Sequence, residues 1–376
     1  MLDFLPEKVV IIMPRVFVAF DTVTAFIVNL NAAGKKIDSI FFDNDGYKIL
    51  TKTPDYHSVI MSKTQVFGGY YSSYIPKSVK VVYVLFRLFL QKNFCIITVG
   101  NFTVVDNLFI KILKYVSKYR GEFYVIPNYN TPIPSSYHVE YYVKALNDKN
   151  KRKILGKPTG VFDAYKSKEY LGNILSYSSV EDKRLDILGY PSRRKYIGYV
   201  KESKEWKDFI NSFDVWRSPI LRNADEVAVI VTKRPIVPYF FSIEKEANDI
   251  LEESISAIRE IDKDIPIIIK AKAFKTKSLN DWLNFSLAKI IDNNIYVDYT
   301  PLPFLSVKAK FAIFNGASSG YYDFLIANKP CIEFCRYSDD YYNIHPNGSY
   351  LKKYNIQSSG RKSELVDFIS NVYINK

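Results

Sequence analysis

Cysteine is scarce in this chain. Only Cys95, Cys331 and Cys335 occur in 376 residues. So few thiols exclude a disulfide-built scaffold and suit a reducing cytoplasm. Cys331 and Cys335 fall in CIEFC, which reads as a strand and its end, so both are expected to be buried strand residues rather than metal ligands. Histidine is equally rare: His57, His138 and His345 lie far apart. No zinc or metalloprotease spacing results, and neither a metal nor a cofactor is expected. Hydrophobic runs long enough to cross a bilayer are missing as well. The opening MLDFLPEKVVIIMPR carries acids early, unlike a secretory signal, and its apolar run is too short. The most membrane-like segment is VKVVYVLFRLFL, residues 79–90, which contains Arg87. It is about half as long as a membrane-spanning helix.

Acidic residues are also in deficit. Lys and Arg number 52 against 39 Asp and Glu, a formal net charge of +13. Such a balance suits an anionic partner, whether a nucleotide, a phospholipid surface or nucleic acid, and also serves solubility. Lys77, Lys80, Arg87 and Lys92 accompany the 79–90 segment. It reads either as a buried core helix or as an interfacial helix resting on anionic lipid. The expected location is cytoplasmic, with contact at the inner face of the membrane.

What is present is enough for real cores: 48% of residues are hydrophobic, and the length fits two domains. KVVIIM (8–13) is a continuous apolar run, as a strand buried on both faces should be. Asp21 and Thr22 can cap a following helix, with Val23, Phe26, Ile27 and Leu30 on one face and Gly34 at its end. DSIFFD (38–43), FCIITVG (94–100) and EFYVIP (122–127) continue as strands, with a helix over 104–118. DILGYPS (186–192) reads as a last strand and SKEWKDFINSF (203–213) as a short amphipathic helix. A second rhythm follows a crossing near 214–224. EVAVIVT (226–232) is a strand, and 242–261 is a helix capped by Ser242 with a stripe of Ala247, Ile250, Leu251, Ile255 and Ile258. IPIIIK, NIYVDY, KFAIFN and PCIEFC are further strands, and a C-terminal helix over 363–373 is expected to pack back toward the first domain. The class is α/β, with two Rossmann-like domains.

Chemistry is expected where strands end. Asn315 ends a strand in NGASSGYYDF, and the following turn leads into a helix from about Ser319 to Asn328. Small residues there let a phosphate approach unpaired N–H groups, to which the Ser318 and Ser319 hydroxyls add donors. Asp323, one turn on, could reach nucleotide sugar hydroxyls. The plainer reading is that Ser319 is only a helix cap and Asp323 only complements the helix dipole. Lys270 and Lys272 leave a neighbouring strand, and Thr232, Lys233 and Arg234 another. All three exits lie on one edge of a parallel sheet.

These residues carry a resemblance. The C-terminal half is similar to the nucleotide-binding domain of GT-B glycosyltransferases, in the group that includes CDP-glycerol glycerophosphotransferases and capsular-polysaccharide transferases of the Kdo or sialic-acid type. In the glycerophosphotransferases a serine pair, a carboxylate four residues after the second, and a Lys/Arg-Pro before the next strand recur. Here these are Ser318, Ser319, Asp323, Lys329 and Pro330. The family's Lys-x-His-Pro strand ending is met only at Lys270, with Lys272 and Ala273 in place of His and Pro. LGYPSRR resembles the Gly-x-Pro segment that closes the first domain. The likeness covers roughly residues 186–370.

The resemblance implies an acceptor-binding domain over 1–215 and a nucleotide-donor-binding domain over 216–376, facing a cleft. It implies a CMP-, CDP- or UDP-linked donor and transfer of a sugar or polyol phosphate to a hydroxyl of a bacterial cell-surface polysaccharide or lipid-linked glycan. Donor-binding residues would be Thr232, Lys233, Arg234, Lys270, Lys272, Asn315, Ser318, Ser319, Gly320 and Asp323. No metal is needed where helix dipole and cations stabilise the leaving phosphate. An inverting transfer needs a base, for which Asp21 is the candidate, with Asp43, Asp45 and His57 as others; Asp21 also reads as a plain cap. Two rivals remain. A sugar-nucleotide 2-epimerase shares the architecture but wants histidines and carboxylates in its cleft, and only His345 lies near the right region. A non-enzymatic nucleic-acid binder fits the charge, but the aromatics are spread along the chain without an RNA-binding signature.

Overall fold

A computed structural model of the chain describes residues 5–13, 19–42, 66–67, 86, 89–90, 94–99, 121–126, 173–176, 194–196, 200–212, 219–232, 244–270, 287, 292–298, 300–316, 318, 320–337, 349, 352 and 355–374. Two compact units divide the chain. One is Met1–Asn130 with Thr159–Ser212, and the other is Thr131–Pro158 with Phe213–Lys376. The change of unit after Ser212 falls beside the crossing read from sequence, and residues 131–158 group with the second unit.

The first unit begins with β1, Lys8–Met13. Val9, Val10 and Ile11 are all buried, so both faces of this strand are covered. Helix α1 follows at Ala19–Ala32. It starts ahead of Asp21 and Thr22, which therefore lie inside its first turn rather than capping it. Ala19, of the strongest helix-forming type, extends the helix backward. Val23, Phe26, Ile27 and Leu30 are fully buried, the stripe that their spacing implies. Gly34 takes φ +69 after the last turn, and the Lys35 N–H donates to Leu30 O at 2.9 Å, closing the helix. Strands β2 (Lys36–Phe42), β3 (Val66–Phe67), β4 (Phe94–Val99), β5 (Gly121–Ile126), β6 (Asn173–Ser176) and β7 (Arg194–Tyr196) complete a parallel sheet in the order β3-β2-β1-β4-β5-β6-β7. Helix α2, Lys204–Ser212, is capped by Ser203, whose Oγ accepts from the Trp206 N–H at 3.1 Å. Asn29 of α1 donates to Val200 O at 3.1 Å and ties the approach to α2 onto α1. The expected helix over 104–118 and the DILGYPS strand lie outside the described residues.

The second unit contains helix α3 (Pro219–Asn223), β8 (Val227–Val231), α4 (Glu244–Ile261), β9 (Ile267–Lys270), β10 (Ile295–Asp298), α5 (Leu302–Lys308), β11 (Ala309–Phe314), α6 (Tyr321–Ile326), β12 (Cys331–Phe334), β13 (Gln357–Ser359) and α7 (Lys362–Ile374). Its strands are parallel, in the order β10-β9-β8-β11-β12-β13. In both sheets the chain winds outward one way from its first strand, then returns to the other side of that strand. That is the doubly wound Rossmann order, with the reversal between β1 and β4 and between β8 and β11.

One apolar layer lies between α4, α7 and this sheet. Ile250, Leu251, Ile255 and Ile258 pack with Leu365 and Ile369 over Ile230, Ile269, Phe311 and Ile313. The buried residues of the C-terminal helix enter the core of its own unit. Leu365 and Ile369 stand four apart, on the one face that α4 covers. Strand β13 was not read from sequence, because Gln-Ser-Ser has no strand signal of its own and pairs only through the β12 ladder. The cysteines are free; Cys95 and Cys335 are buried and Cys331 is half-buried. Burial pushes the Cys331 thiol up to about 12, so it stays protonated and unreactive near neutral pH.

A carboxylate locks α7 to the turn after α4. Asp262 Oδ1 accepts from the Asp264 and Ile265 N–H groups, both at 2.9 Å, and Oδ2 accepts from the Tyr373 hydroxyl at 2.6 Å. Burial raises its pKa, but the Tyr373 bond, the two N–H bonds and the Lys310 charge outweigh it and hold the carboxyl below its ordinary value of 3.8. A depressed carboxylate pKa adds stability that is complete above the unfolded-state value and is lost as pH falls through the folded one. Asp262→Asn should therefore destabilise the second unit at neutral pH. The difference from the unaltered protein should shrink below about pH 4, as read by urea titrations at several pH values. A constant difference down to pH 2 would contradict this account.

Candidate functional site

The reversal between β8 and β11 brings three of the expected residues together. The Thr232 N–H donates to Lys270 O at 3.0 Å, and the Asn315 N–H donates to Val231 O at 3.0 Å. Thr232, Lys270 and Asn315 thus sit side by side on the carboxyl edge of the sheet, at its topological switch point. All three are buried: they are exposed by 1%, 4% and 1%.

Strand alternation decides which way each points. Lys270 is in register with Val231, and Val231 with Phe314. Residues in register share a face, so Thr232 and Asn315, one position further on, face the opposite way. Asn315 does turn toward α4, where its Nδ2 donates to Ser254 Oγ at 3.0 Å and to Phe334 O at 3.3 Å. A carbonyl only accepts, so the amide orientation follows from that bond. Asn315 Oδ1 is buried and has no hydrogen-bond partner among the described residues. On the other face, Phe314 meets Phe324 of α6 edge-on, with ring centres 5.5 Å apart. Helix α6 therefore covers the same face as Lys270.

The turn between β11 and α6 is tight. Gly316 takes φ +104, a conformation open to glycine, and its N–H donates to Phe314 O at 2.9 Å. Ser318 Oγ accepts from the Gly320 N–H at 3.3 Å, which leaves the serine hydroxyl hydrogen as a donor. The helix is shorter than the sequence suggests. It runs Tyr321–Ile326 with Gly320 at the cap position, and no side chain caps it. The expected start and cap at Ser319 are corrected accordingly. Leu302 Cδ1 occupies the space that a Cβ on Gly320 would need, so α5 packs directly on the glycine. Asp323 falls in the first turn of α6 and is 8% exposed. Asn328, at φ 53, ends the helix, and the Lys329 N–H donates to Phe324 O at 2.8 Å.

Ser319, Lys233, Arg234 and Lys272 lie outside the described residues, as do Asp43, Asp45, His57 and His345. Of Asp21 only the backbone is described, in the first turn of the helix that follows β1. Among the described residues no group of three His, Cys, Asp or Glu is placed to hold a metal ion.

Two polar partners were missed from sequence. Glu333, fully buried, accepts from Ser358 Oγ at 2.7 Å and from the Tyr337 hydroxyl. It is an acid within the apolar strand CIEF, and that is its signal. Ser254 occupies a position on the buried stripe of α4, where a hydroxyl needs a partner; it donates to Ile250 O at 2.7 Å and accepts from Asn315.

No protein-family model matches the chain. No curated protein matches it either. Solved structures do. A Listeria monocytogenes protein described as a UDP-N-acetylglucosamine 2-epimerase aligns at a TM-score of 0.52 and 10% identity, covering 98% of this chain and 88% of that one. MnaA of S. aureus, solved with UDP, aligns at 0.53 and 11%, covering 98% and 88%. The chain shares their fold, so the α/β class and the GT-B-type pair of Rossmann-like domains expected from sequence are borne out.

Asn315 gives the site a stability signature. Asn315→Ala leaves Phe334 O and Ser254 without their donor and should cost about 1–3 kcal/mol. Asn315→Asp should cost more at neutral pH, because it buries a charge facing a carbonyl. That excess should ease on acidification as the buried carboxyl takes up a proton. Denaturant unfolding of the two variants at pH 7 and pH 5 checks both statements.

Proposed function

We propose that the chain is a glycosyltransferase of the GT-B type. It moves a sugar or polyol phosphate from a CMP-, CDP- or UDP-activated donor to a hydroxyl of a bacterial cell-surface polysaccharide or lipid-linked glycan. The donor binds in the 216–376 domain and the acceptor in the 1–215 domain. The protein works in the cytoplasm, peripheral to the inner membrane face. One observation carries the reading. Thr232, Lys270 and Asn315 meet at the switch point of the second sheet, and the Ser318–Gly320 turn and α6 follow directly on the face that Lys270 shares.

On this reading the Ser318 hydroxyl and Lys270, with Ser319, Lys233, Arg234 and Lys272, neutralise the phosphate that leaves with the nucleotide, and no metal is required. Asp323 serves the ribose. Thr232, Asn315 and Gly320 shape the floor beneath the donor. Asp21, following the exit of β1, serves as the base that takes the acceptor's proton. Reversible C2 epimerisation of a nucleotide-linked sugar is the second reading, favoured by the description of the Listeria monocytogenes protein, whose fold the chain shares, as a UDP-N-acetylglucosamine 2-epimerase. It uses the same donor edge with no acceptor.

Calorimetry with CMP, CDP and UDP tests the donor site. The unaltered protein should bind at least one of them. Ser318→Ala and Lys270→Ala, each shown folded by circular dichroism, should bind it about ten- to a hundredfold more weakly, the worth of one charge-assisted hydrogen bond of about 1.5–3 kcal/mol. Unchanged affinity in both folded variants would reduce the turn to a structural bend. Incubation with UDP-N-acetylglucosamine in the absence of acceptor separates the two chemistries: appearance of the C2 epimer supports the second reading and overturns the first.

A further inference from the structure

Asp298 ends β10 at the carboxyl edge of the second sheet, and it is 8% exposed. Its partner in register is Lys270, at the end of β9. The two side chains therefore stand on one face, the face that α6 covers. Asp298 Oδ1 accepts from the Thr300 N–H at 2.6 Å. Among the described residues the carboxylate makes no other hydrogen bond or ion pair. A charge so nearly enclosed is costly to keep unless donors meet both of its oxygens. Oδ2 has room for one that the protein does not supply.

Its place in the fold says what brings that donor. The segment leaving β10 leads into α5, and Leu302, four residues past Asp298, fills the space beside Gly320 of the serine turn. Four residues of chain reach at most about 14 Å. The strand order β10-β9-β8-β11 likewise sets the ends of β10 and β11 three strands apart, about 14 Å. On the proposed reading a phosphate lies at the serine turn beyond β11. What reaches back along the same edge toward β10 is the far end of the nucleotide, its base. A carboxylate repels phosphate and only accepts hydrogen bonds. Cytosine offers it a 4-amino group with two N–H donors, where uracil offers a carbonyl oxygen.

We infer that Asp298 reads the base of the donor nucleotide and selects cytosine over uracil. Oδ2 accepts from the 4-amino group while Oδ1 stays with the Thr300 N–H. Uracil sets its O4 against a carboxylate still short of a donor, so the wrong base is both unrewarded and repelled. The inference rests on the donor site of the proposed function, and it narrows the donor from a CMP-, CDP- or UDP-linked one to a cytidine nucleotide.

Calorimetry of the full chain with CMP against UMP, and with CDP against UDP, tests it, because each pair differs only in the base. The unaltered protein should bind the cytidine nucleotide at least about tenfold more tightly. The pyrimidin-2-one analogue of that nucleotide, which lacks only the 4-amino group, should lose the advantage, and this comparison needs no variant. Asp298→Asn keeps an oxygen for the Thr300 N–H and can turn its amide hydrogens to uracil O4. Shown folded by circular dichroism, it should bring the two bases within about threefold of each other or reverse their order. Equal affinity for the two bases in the unaltered protein, tighter binding of the uridine nucleotide, or undiminished binding of the analogue overturns the inference. So does the unaltered ratio kept in folded Asp298→Asn, because a loss shared by both bases places Asp298 at the ribose. Ser318→Ala keeps the two proposals apart. Equal affinities for both bases that fall together in that variant remove base selection and leave the donor site standing, whereas binding of none of the four nucleotides overturns both.

Discussion

A strand of a parallel sheet with helices on both faces has nowhere to carry chemistry except its ends. Val227 to Val231 and Ile267 to Ile269 are buried throughout, so any polar group in mid-strand would need a partner within the core. At the carboxyl edge the constraint lifts, and there the polar residues Thr232, Lys270 and Asn315 occur. Their mutual placement is set by backbone bonds, Thr232 N–H to Lys270 O and Asn315 N–H to Val231 O, rather than by side-chain contacts. The geometry of the edge is as rigid as the sheet itself.

Rigidity of that edge reaches outward through packing. Asn315 is anchored to Ser254 in the middle of α4, and α4 is in turn closed against α7 by the apolar layer and, at its far end, by Asp262 and Tyr373. On the opposite face, Gly320 admits Leu302, and Phe324 rests on Phe314. The serine turn is therefore held from both sides of one sheet. Fixed donors aimed at a developing charge stabilise it without reorganising, which is what departure of a nucleotide phosphate requires on the proposed reading.

Much of the architecture was legible because it depends on period and composition. Uninterrupted runs such as KVVIIM and VAVIV can be satisfied only by two-sided burial, and they became central strands. The stripe of Ile250, Leu251, Ile255 and Ile258 has the helical period, and it became the face of α4. Gly34 and Asn328 end helices because glycine and asparagine tolerate positive φ. Where the reading slipped, local preference had been opposed by contacts distant in sequence. Gln357–Ser359 is a strand only because β12 offers it a ladder.

The amino-acid sequence by itself determined the alternation of strands and helices, the positive charge, and the set of polar residues at strand ends, since these follow from neighbours a few positions apart. Only the tertiary structure decided which strand ends meet. Asn315 and Thr232 are separated by more than eighty residues and are brought alongside by the pairing of β11 with β8. It also decided that Asn315 turns to α4 while Lys270 faces α6, because the facing of a side chain depends on register, and register is a property of paired strands that no single strand possesses.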